Sequence, residues 1–309
     1  MKAFSTCWNT SRHDDGEAII EEILELGFDH IELSHGITLS KIPGIERAYE
    51  QKMFTCVGVH NFFPSPTEIM TDAPDAYEFT HFRETDRERA YRYSVQTLEE
   101  AARYGAKYVV LHMGSNHKMP SAKWSKPLEK MLKEGEAESK KFLRHRNKFL
   151  KKREKTAKFY MLRATYYLEQ LEKKARELDL VLAIESRSHY EQVPTESEML
   201  TLMEHFKDSP HVQYWHDFGH VQRKHNLGLL DHAEWLGQVS PHLYGGHLHD
   251  VQNGTRDHRV PLKGGDIQYD QIMPYFTPDM PLVWELSPGR RASQIREALA
   301  EWEALYPGY

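Results

Sequence analysis

Cysteine is scarce in this 309-residue chain, with Cys7 and Cys56 the whole supply. Two thiols, each inside an apolar strand-like run, exclude a disulfide-stapled fold and read as buried, reduced side chains suited to a reducing compartment. No apolar run approaches the ~20 residues of a membrane span, and the opening MKAFSTCWNTSRHDDGE has no signal-peptide core. The expectation is a cytoplasmic protein with no membrane partner. Positive charge is not in excess either: a net charge of −6 argues against a general polyanion binder, so nucleic acid is not an expected partner. Finally, no Gly-rich dinucleotide fingerprint follows the first strand-like run, which removes the main signature of a doubly wound nucleotide-binding sheet.

What is present is a globular profile, 39% hydrophobic and 28% charged, enough for a sizeable core. A chain of this length could hold two small domains or one α/β barrel with insertions, and pattern decides between them. Short runs rich in Val, Ile, Leu and Tyr alternate with segments of helical periodicity. The pairs are 2–8 with 14–26, 28–33 with 39–51, 53–60 with 86–104, 107–112 with a long helical region, 180–185 with 195–206, 212–215 with 229–238, 243–248 with 269–275, and 282–286 with 291–305. In the first helix Ile19, Ile20, Ile23 and Leu24 recur at helical spacing, and Gly27 stops it. The strand-like runs lack strict polar alternation, as parallel strands covered on both faces do. About eight such units is the number that closes a barrel. The expected fold is therefore α/β, a (β/α)8 TIM barrel forming one domain over 1–309.

One segment breaks the repeat. Residues 118–178 read as a helical insertion after the fourth strand, in which Gly135 separates a short helix from a long one. No Pro or Gly interrupts 136–178, and Phe142, Phe149, Ala157, Ala164 and Leu171 recur near a seven-residue spacing. A straight helix of that length would run ~60 Å, longer than a barrel is tall, so it must bend back or pack on something else. Its first half, 140–158, is strongly basic. It reads as a solvated face; contact with a second copy, giving a homo-oligomer, or with an anionic substrate are the alternatives.

A barrel of this kind carries its chemistry at the C-terminal ends of its strands. Here those ends are acids and imidazoles. Glu32 closes the second strand in FDHIEL, His60 the third in VGVH, His112 the fourth in VVLH and Glu185 the fifth in VLAIE. Asp217 and His220 close the sixth in WHDFGH, His247, His249 and Asp250 the seventh in GGHLHD, and Glu285 the eighth in VWEL. One such residue alone reads as hydrogen-bonded structure. Together they surround one axis, and several carboxylates stay ionised in a shared mouth only if a cation neutralises them. Gly219 lets a tight turn return His220 over Asp217, one to bind metal and the other to face substrate. Strand alternation puts His247 and His249 on the same face, His247 deeper and His249 nearer the rim, with Asp250 turned away as a loop cap or supporting acceptor. Arg187 and His189, in ESRSHYE just past Glu185, sit in a loop at the mouth, where an arginine would suit a carboxylate or phosphate on a substrate. Trp8, Phe62 and Trp215 read as core, with walling of a sugar ring as the alternative.

Taken in order, VLAIES, HDFGH, GGHLHD, DHRVPLKGGDI and VWELSP resemble the xylose isomerase-like barrel superfamily, which includes sugar isomerases, ketose 3-epimerases and endonuclease IV. The resemblance covers the chain apart from the helical insertion. It implies one divalent ion held by Glu185, Asp217, His247 and Glu285, with His220 and Arg259 binding substrate. The endonuclease members carry a trinuclear zinc cluster, to which His60, His112 and Asp257 correspond, but the last position of that set is Arg259, with His258 one place early. Three carboxylates and one imidazole favour Mn²⁺, with Mg²⁺, Co²⁺ or Zn²⁺ also compatible. The implied activity is that of a metal-dependent sugar isomerase or epimerase. In it Glu185 and Glu285 are the catalytic acid–base pair, removing a proton next to a carbonyl through a metal-stabilised enediolate. His60, His112, Arg187, His220, His249, Asp257 and Arg259 are the candidate contacts to a small carbohydrate substrate. Fold likeness alone does not choose a reaction; the competing expectations are an endonuclease-type phosphodiester hydrolase and a lyase or deglycosidase using the same metal site.

Overall fold

The computed structural model describes residues 1–69 and 74–309. Eight parallel strands close a barrel: β1 (Lys2–Ser5), β2 (His30–Leu33), β3 (Thr55–His60), β4 (Tyr108–Leu111), β5 (Val181–Glu185), β6 (Val212–Asp217), β7 (Leu243–Leu248) and β8 (Leu282–Trp284), which pairs back onto β1. Phe4 faces Trp284 across that closing seam, while Glu185 lies opposite Trp215 and Asp217 opposite His247. The helices are α1 (Gly16–Leu24), α2 (Ile42–Glu50), α3 (Glu84–Arg103), α4 (Ser125–Lys133), α5 (Lys140–Glu177), α6 (Glu196–His205), α7 (Phe218–Asn226), α8 (His232–Val239), α9 (Tyr269–Ile272) and α10 (Ala292–Leu305). The expected fold is the observed one.

Period-two geometry sends alternate residues of each strand inward. Ala3, Val57, Tyr108, Val110, Ala183, Trp215 and Val283 form an apolar plug inside the barrel, and their neighbours Phe4, Leu182, Ile184, Tyr214 and Trp284 pack outward beneath the helices. Two residues beyond Ala183, Trp215 and Val283 stand Glu185, Asp217 and Glu285. The alternation that builds the plug therefore sets three carboxylates on its upper surface. Gly58 contributes by what it lacks. A Cβ there would lie 2.1 Å from the Tyr108 ring, so glycine lets Tyr108 cross the barrel, where its hydroxyl donates to Glu32 Oε2 at 3.0 Å.

The insertion breaks at Gly135, whose φ of +76° ends α4, and α5 then runs for 38 residues, about 57 Å at 1.5 Å per residue. It neither bends back nor stands free. Tyr160, Ala164, Tyr167, Leu168 and Leu171 pack into the main core, whereas Phe142 and Phe149 join Trp124, Leu128 and Met131 in a cluster of their own. The seven-residue rhythm is thus that of a helix seated on its own chain along most of its length. Within the basic half, Arg153 departs from the solvated reading. Its buried guanidinium donates to Glu198 Oε1 and Oε2 at 2.6 and 2.7 Å and to the carbonyls of Tyr190 and Gln192 at 3.0 Å, tying α5 to α6 and to the loop after β5. The outward side of α5 leaves Phe159, Leu162 and Tyr166 exposed. Among the described residues, no helix is long and apolar enough to cross a membrane.

Candidate metal centre

Glu185 and Asp217 end β5 and β6, His247 is the penultimate residue of β7, and Glu285 immediately follows β8. All four are buried, and each offers a donor atom within 4.8 Å of those of the other three. His247 Nδ1 lies 3.1 Å from Glu185 Oε1, 3.5 Å from Glu285 Oε2 and 3.9 Å from Asp217 Oδ2. Its other nitrogen, Nε2, faces Glu32 Oε1 at 3.0 Å. Glu32 is fully buried and also accepts from Tyr108, so it is a fixed acceptor that places a proton on His247 Nε2. In the neutral imidazole Nδ1 is then a lone pair pointed at three carboxylates, an arrangement that requires a positive charge between them.

The proton affinities express the same demand. Burial, reinforced by the charges of Glu185 and Glu285, pushes the Asp217 carboxyl well above the usual carboxylate range. Burial works to lower His247, but Glu285, Glu32 and Glu185 outweigh it and hold the imidazole well above its ordinary value. Burial likewise opposes ionisation of Glu285, yet His247 and His258 hold its carboxyl down at about 2. Extra protons on Asp217 and His247 are thus what balance the charge when nothing else does. A divalent cation satisfies the same four groups, and a mixed carboxylate–imidazole set suits Mn²⁺, Mg²⁺, Co²⁺ or Zn²⁺.

Asp217 is placed by more than its strand. It is also the N-cap of α7, with Oδ1 accepting the His220 N–H at 2.6 Å. The expected tight turn through Gly219 is therefore a helix start, and the single helix expected at 229–238 is preceded by α7. Gly219 is required for another reason: a Cβ there would lie 2.1 Å from the His249 ring. That ring is not at the rim. Contrary to the expectation of a substrate contact, His249 is buried beside Asp217, donating from Nε2 to its carboxylate at 2.9 Å while Nδ1 accepts the His258 N–H at 2.9 Å. The chain turns into a short hairpin, Asp250–Gln252 with Arg256–Arg259, and strand alternation stops applying. Asp250 caps that turn, accepting the Val251 N–H and the Tyr269 hydroxyl.

A cavity of about 390 Å³ opens above the cluster. His60, His112, Arg187, His220 and Asp257 line it, together with His258, Asp75 and Cys7. Cys7 is half-buried there rather than buried. His112 bridges two acids, with Nδ1 2.9 Å from Asp75 Oδ1 and Nε2 in close contact with Glu185 Oε2. Burial holds His220 well below the ordinary imidazole value, and its Nδ1–H donates to the Ser186 carbonyl at 3.1 Å, which leaves Nε2 as an acceptor. Arg187 is buried and donates through Nη2 to both Asp75 oxygens at 2.8 and 2.6 Å. Its Nε and Nη1 are buried with no partner among the described residues. Asp257 is already ion-paired with Arg223 at 2.5 Å.

Contrary to the expectation of a substrate contact, Arg259 lines a separate pocket, and its neighbour His258, at a φ of +49°, lines the cavity instead. Trp8, Phe62 and Trp215 are all buried, and none lines the cavity. Three residues at the site were not singled out for a role from sequence. Glu32 was visible as a strand end, whereas Asp75 lies in a stretch without periodicity, and the turn that admits His258 is a backbone property with no side-chain signature.

A family model described as Xylose isomerase-like TIM barrel matches residues 20–302. Among solved structures, a D-tagatose 3-epimerase-like protein superposes with a TM-score of 0.68 at 16% identity, covering 98% of this chain and 97% of that one. The 3-keto-D-glucoside 4-epimerase of E. coli, in its apo form, gives 0.65 at 16% identity, covering 98% of each chain. A D-psicose 3-epimerase in the presence of D-fructose gives 0.64 at 13% identity, again covering 98% of each. At such identities the likeness is one of fold. No curated protein matches the chain.

Proposed function

The chain belongs to the xylose isomerase-like TIM barrel family, and from that premise we propose that it is a divalent-metal-dependent isomerase or epimerase of a small sugar or sugar derivative. The observation that carries this reading is the pair of buried carboxylates, Glu185 and Glu285, gathered with Asp217 and His247 under a cavity of about 390 Å³. Those four residues would hold the ion. A divalent cation, when bound, supplies the positive charge that acidifies a C–H next to a carbonyl.

The rest falls to the chain's own side chains. Glu185 and Glu285 enter from either end of an arc of four neighbouring strands, β5 to β8, so they reach a substrate carbon from different sides. One removes the proton, and the electron pair left behind moves onto the carbonyl oxygen. A proton returned by the opposite carboxylate inverts the centre, and one returned to the neighbouring carbon exchanges aldose for ketose. His220 Nε2, a bare acceptor, takes a hydrogen bond from a substrate hydroxyl, while Arg187 Nε and Nη1 donate to substrate oxygens. The test is carbon-bound deuterium uptake into a broad sugar panel in D₂O with Mn²⁺-reconstituted protein. Exchange is expected for at least one sugar, and Glu185→Gln and Glu285→Gln should each slow it by about 10²–10⁴-fold. Failure of the metal-loaded protein to label any member of the panel would sink the proposal.

One observation favours a second reading. His60, His112 and Glu185 also present donor atoms within 4.8 Å of one another, as do His220, His249 and His258. Several ions spanning these sets would suit a phosphodiester hydrolase. Against it stand the engagement of Asp257 with Arg223 and of His249 with Asp217.

A further inference from the structure

Arg259 occupies a second concavity, between the loops that follow β7 and β8. It is about 160 Å³ in volume, lined by Arg259, Lys263 and Gly265 from the one side and by Arg290, Gln294 and Glu297 from the other. Small-molecule sites usually span ~300–1,000 Å³, so this pocket suits a single group and not a whole sugar. Its charge is lopsided. Lys263 is answered by Glu301 at 2.8 Å. Among the described residues Arg256, Arg259 and Arg290 form no ion pair with any acid, Glu297 included, and the Arg290 guanidinium has only the Ser287 hydroxyl, at 3.2 Å from Nε. Burial and the neighbouring guanidiniums of Arg259 and Arg256 lower the proton affinity of Arg290. Like charges gathered at a half-buried point repel unless an anion lies between them.

The location adds a second argument. Barrels of this architecture frequently hold phosphate on the loops after the seventh and eighth strands, together with the N-terminus of a short extra helix. Here those loops supply Arg259 and Arg290, two guanidiniums in the place where such barrels use backbone amides of an extra helix. We propose that the pocket is an oxyanion site for a phosphate group, gripped by Arg259 and Arg290, with Arg256 adding attraction from the rim. The guanidinium fork matches phosphate oxygens as an ammonium does not. The site is distinct from the carboxylate cluster: Glu285, Ser287 and Pro288 face the larger cavity, and Arg290, farther along the same loop, faces the pocket. Phosphate binding there depends neither on a metal nor on the reaction proposed above. The group is either the ester of a phosphorylated ligand or free phosphate.

Calorimetric titration of inorganic phosphate at low ionic strength tests the site, comparing wild type with Arg259→Ala, Arg290→Ala and the double variant. Thermal unfolding checks that each is folded. Wild type is expected to bind, each single variant to weaken binding about tenfold or more, and the double variant to abolish it. Absence of binding up to about 10 mM phosphate, or equal affinity in wild type and the folded double variant, would overturn the proposal. Competition identifies the source. If a ketose phosphate displaces inorganic phosphate and the parent ketose does not, the pocket takes the ester. If neither displaces it, the pocket takes the free anion; displacement by the parent ketose alike would count against a phosphate site.

Discussion

A single proton on His247 Nε2 decides which of its nitrogens meets the three carboxylates. Glu32 accepts that proton and is itself anchored by Tyr108, which reaches it only because residue 58 has no side chain. Buried acceptors of this kind fix the tautomer of a metal-binding imidazole and raise its basicity. Glu32→Gln keeps the shape and removes the charge. We expect it to lower divalent-metal affinity about 10–100-fold, measured by competition with a chromophoric chelator on variant protein shown by circular dichroism to be folded. Unaltered affinity would mean that Glu32 does not act through His247. At this scale the sequence was informative wherever a residue closes a barrel strand. Glu185, Asp217, His247 and Glu285 were all named on that ground and on resemblance, and they are neighbours in space. It was uninformative where the backbone leaves the strand. His249 turns beneath Asp217, because the hairpin after β7 ends the alternation on which its placement rested, and Arg259, placed by resemblance, lines another pocket.

Between α7, α8 and the hairpin after β7 runs a chain of buried hydrogen bonds whose direction is set at its ends. Asn226 Nδ2 donates to the Gly254 carbonyl and to Asp266, so Asn226 Oδ1 accepts from Gln222 Nε2 and Gln222 Oε1 faces His232 Nδ1 at 2.8 Å. His232 therefore carries its proton on Nδ1 and accepts at Nε2 from His216 Nε2 at 3.0 Å. His216 in turn accepts from Tyr214, which accepts from Trp235. Neither histidine can take a second proton without setting two donors against each other. Burial, with the charges of His225 and Lys224, accordingly depresses His232 to about 3. A folded-state value below the unfolded ~6.5 means that the unfolded chain binds the extra proton. The stabilisation is complete above about pH 6.5 and declines as pH falls toward the folded-state value, by about 1.4 kcal/mol per pH unit for this site. Unfolding temperatures between pH 7.5 and 5 should fall more steeply for wild type than for His232→Gln. Parallel profiles would remove His232 from the account. Most elements were legible from periodicity, and the long helix from its lack of Pro and Gly. The short α7 is hidden in the sequence because one residue, Asp217, both ends a strand and caps the helix.

For the molecule as a whole, closure of the barrel converts eight distant strand ends into one mouth. Carboxylates separated by a hundred residues, Glu185 and Glu285, approach the same imidazole nitrogen because strand parity is preserved around the ring. The helical insertion supports this indirectly: Arg153 on α5 holds the carbonyls of Tyr190 and Gln192, and Gln192 Nε2 donates to Asp75, which steadies Arg187 and His112. The barrel and the convergence of ligands were readable from pattern, whereas the coupling of insertion to cavity was not, since a buried arginine in a basic run looks like its solvated neighbours. The central claim is that Glu185, Asp217, His247 and Glu285 share one divalent cation. The most direct test is elemental analysis of the dialysed, Mn²⁺-loaded protein beside Asp217→Asn and His247→Ala variants, with anomalous scattering to locate the ion. The account predicts about one ion per chain bonded to those four side chains and loss of most of it in both variants. Protein that retains no metal, or retains it equally in the folded variants, would contradict the account.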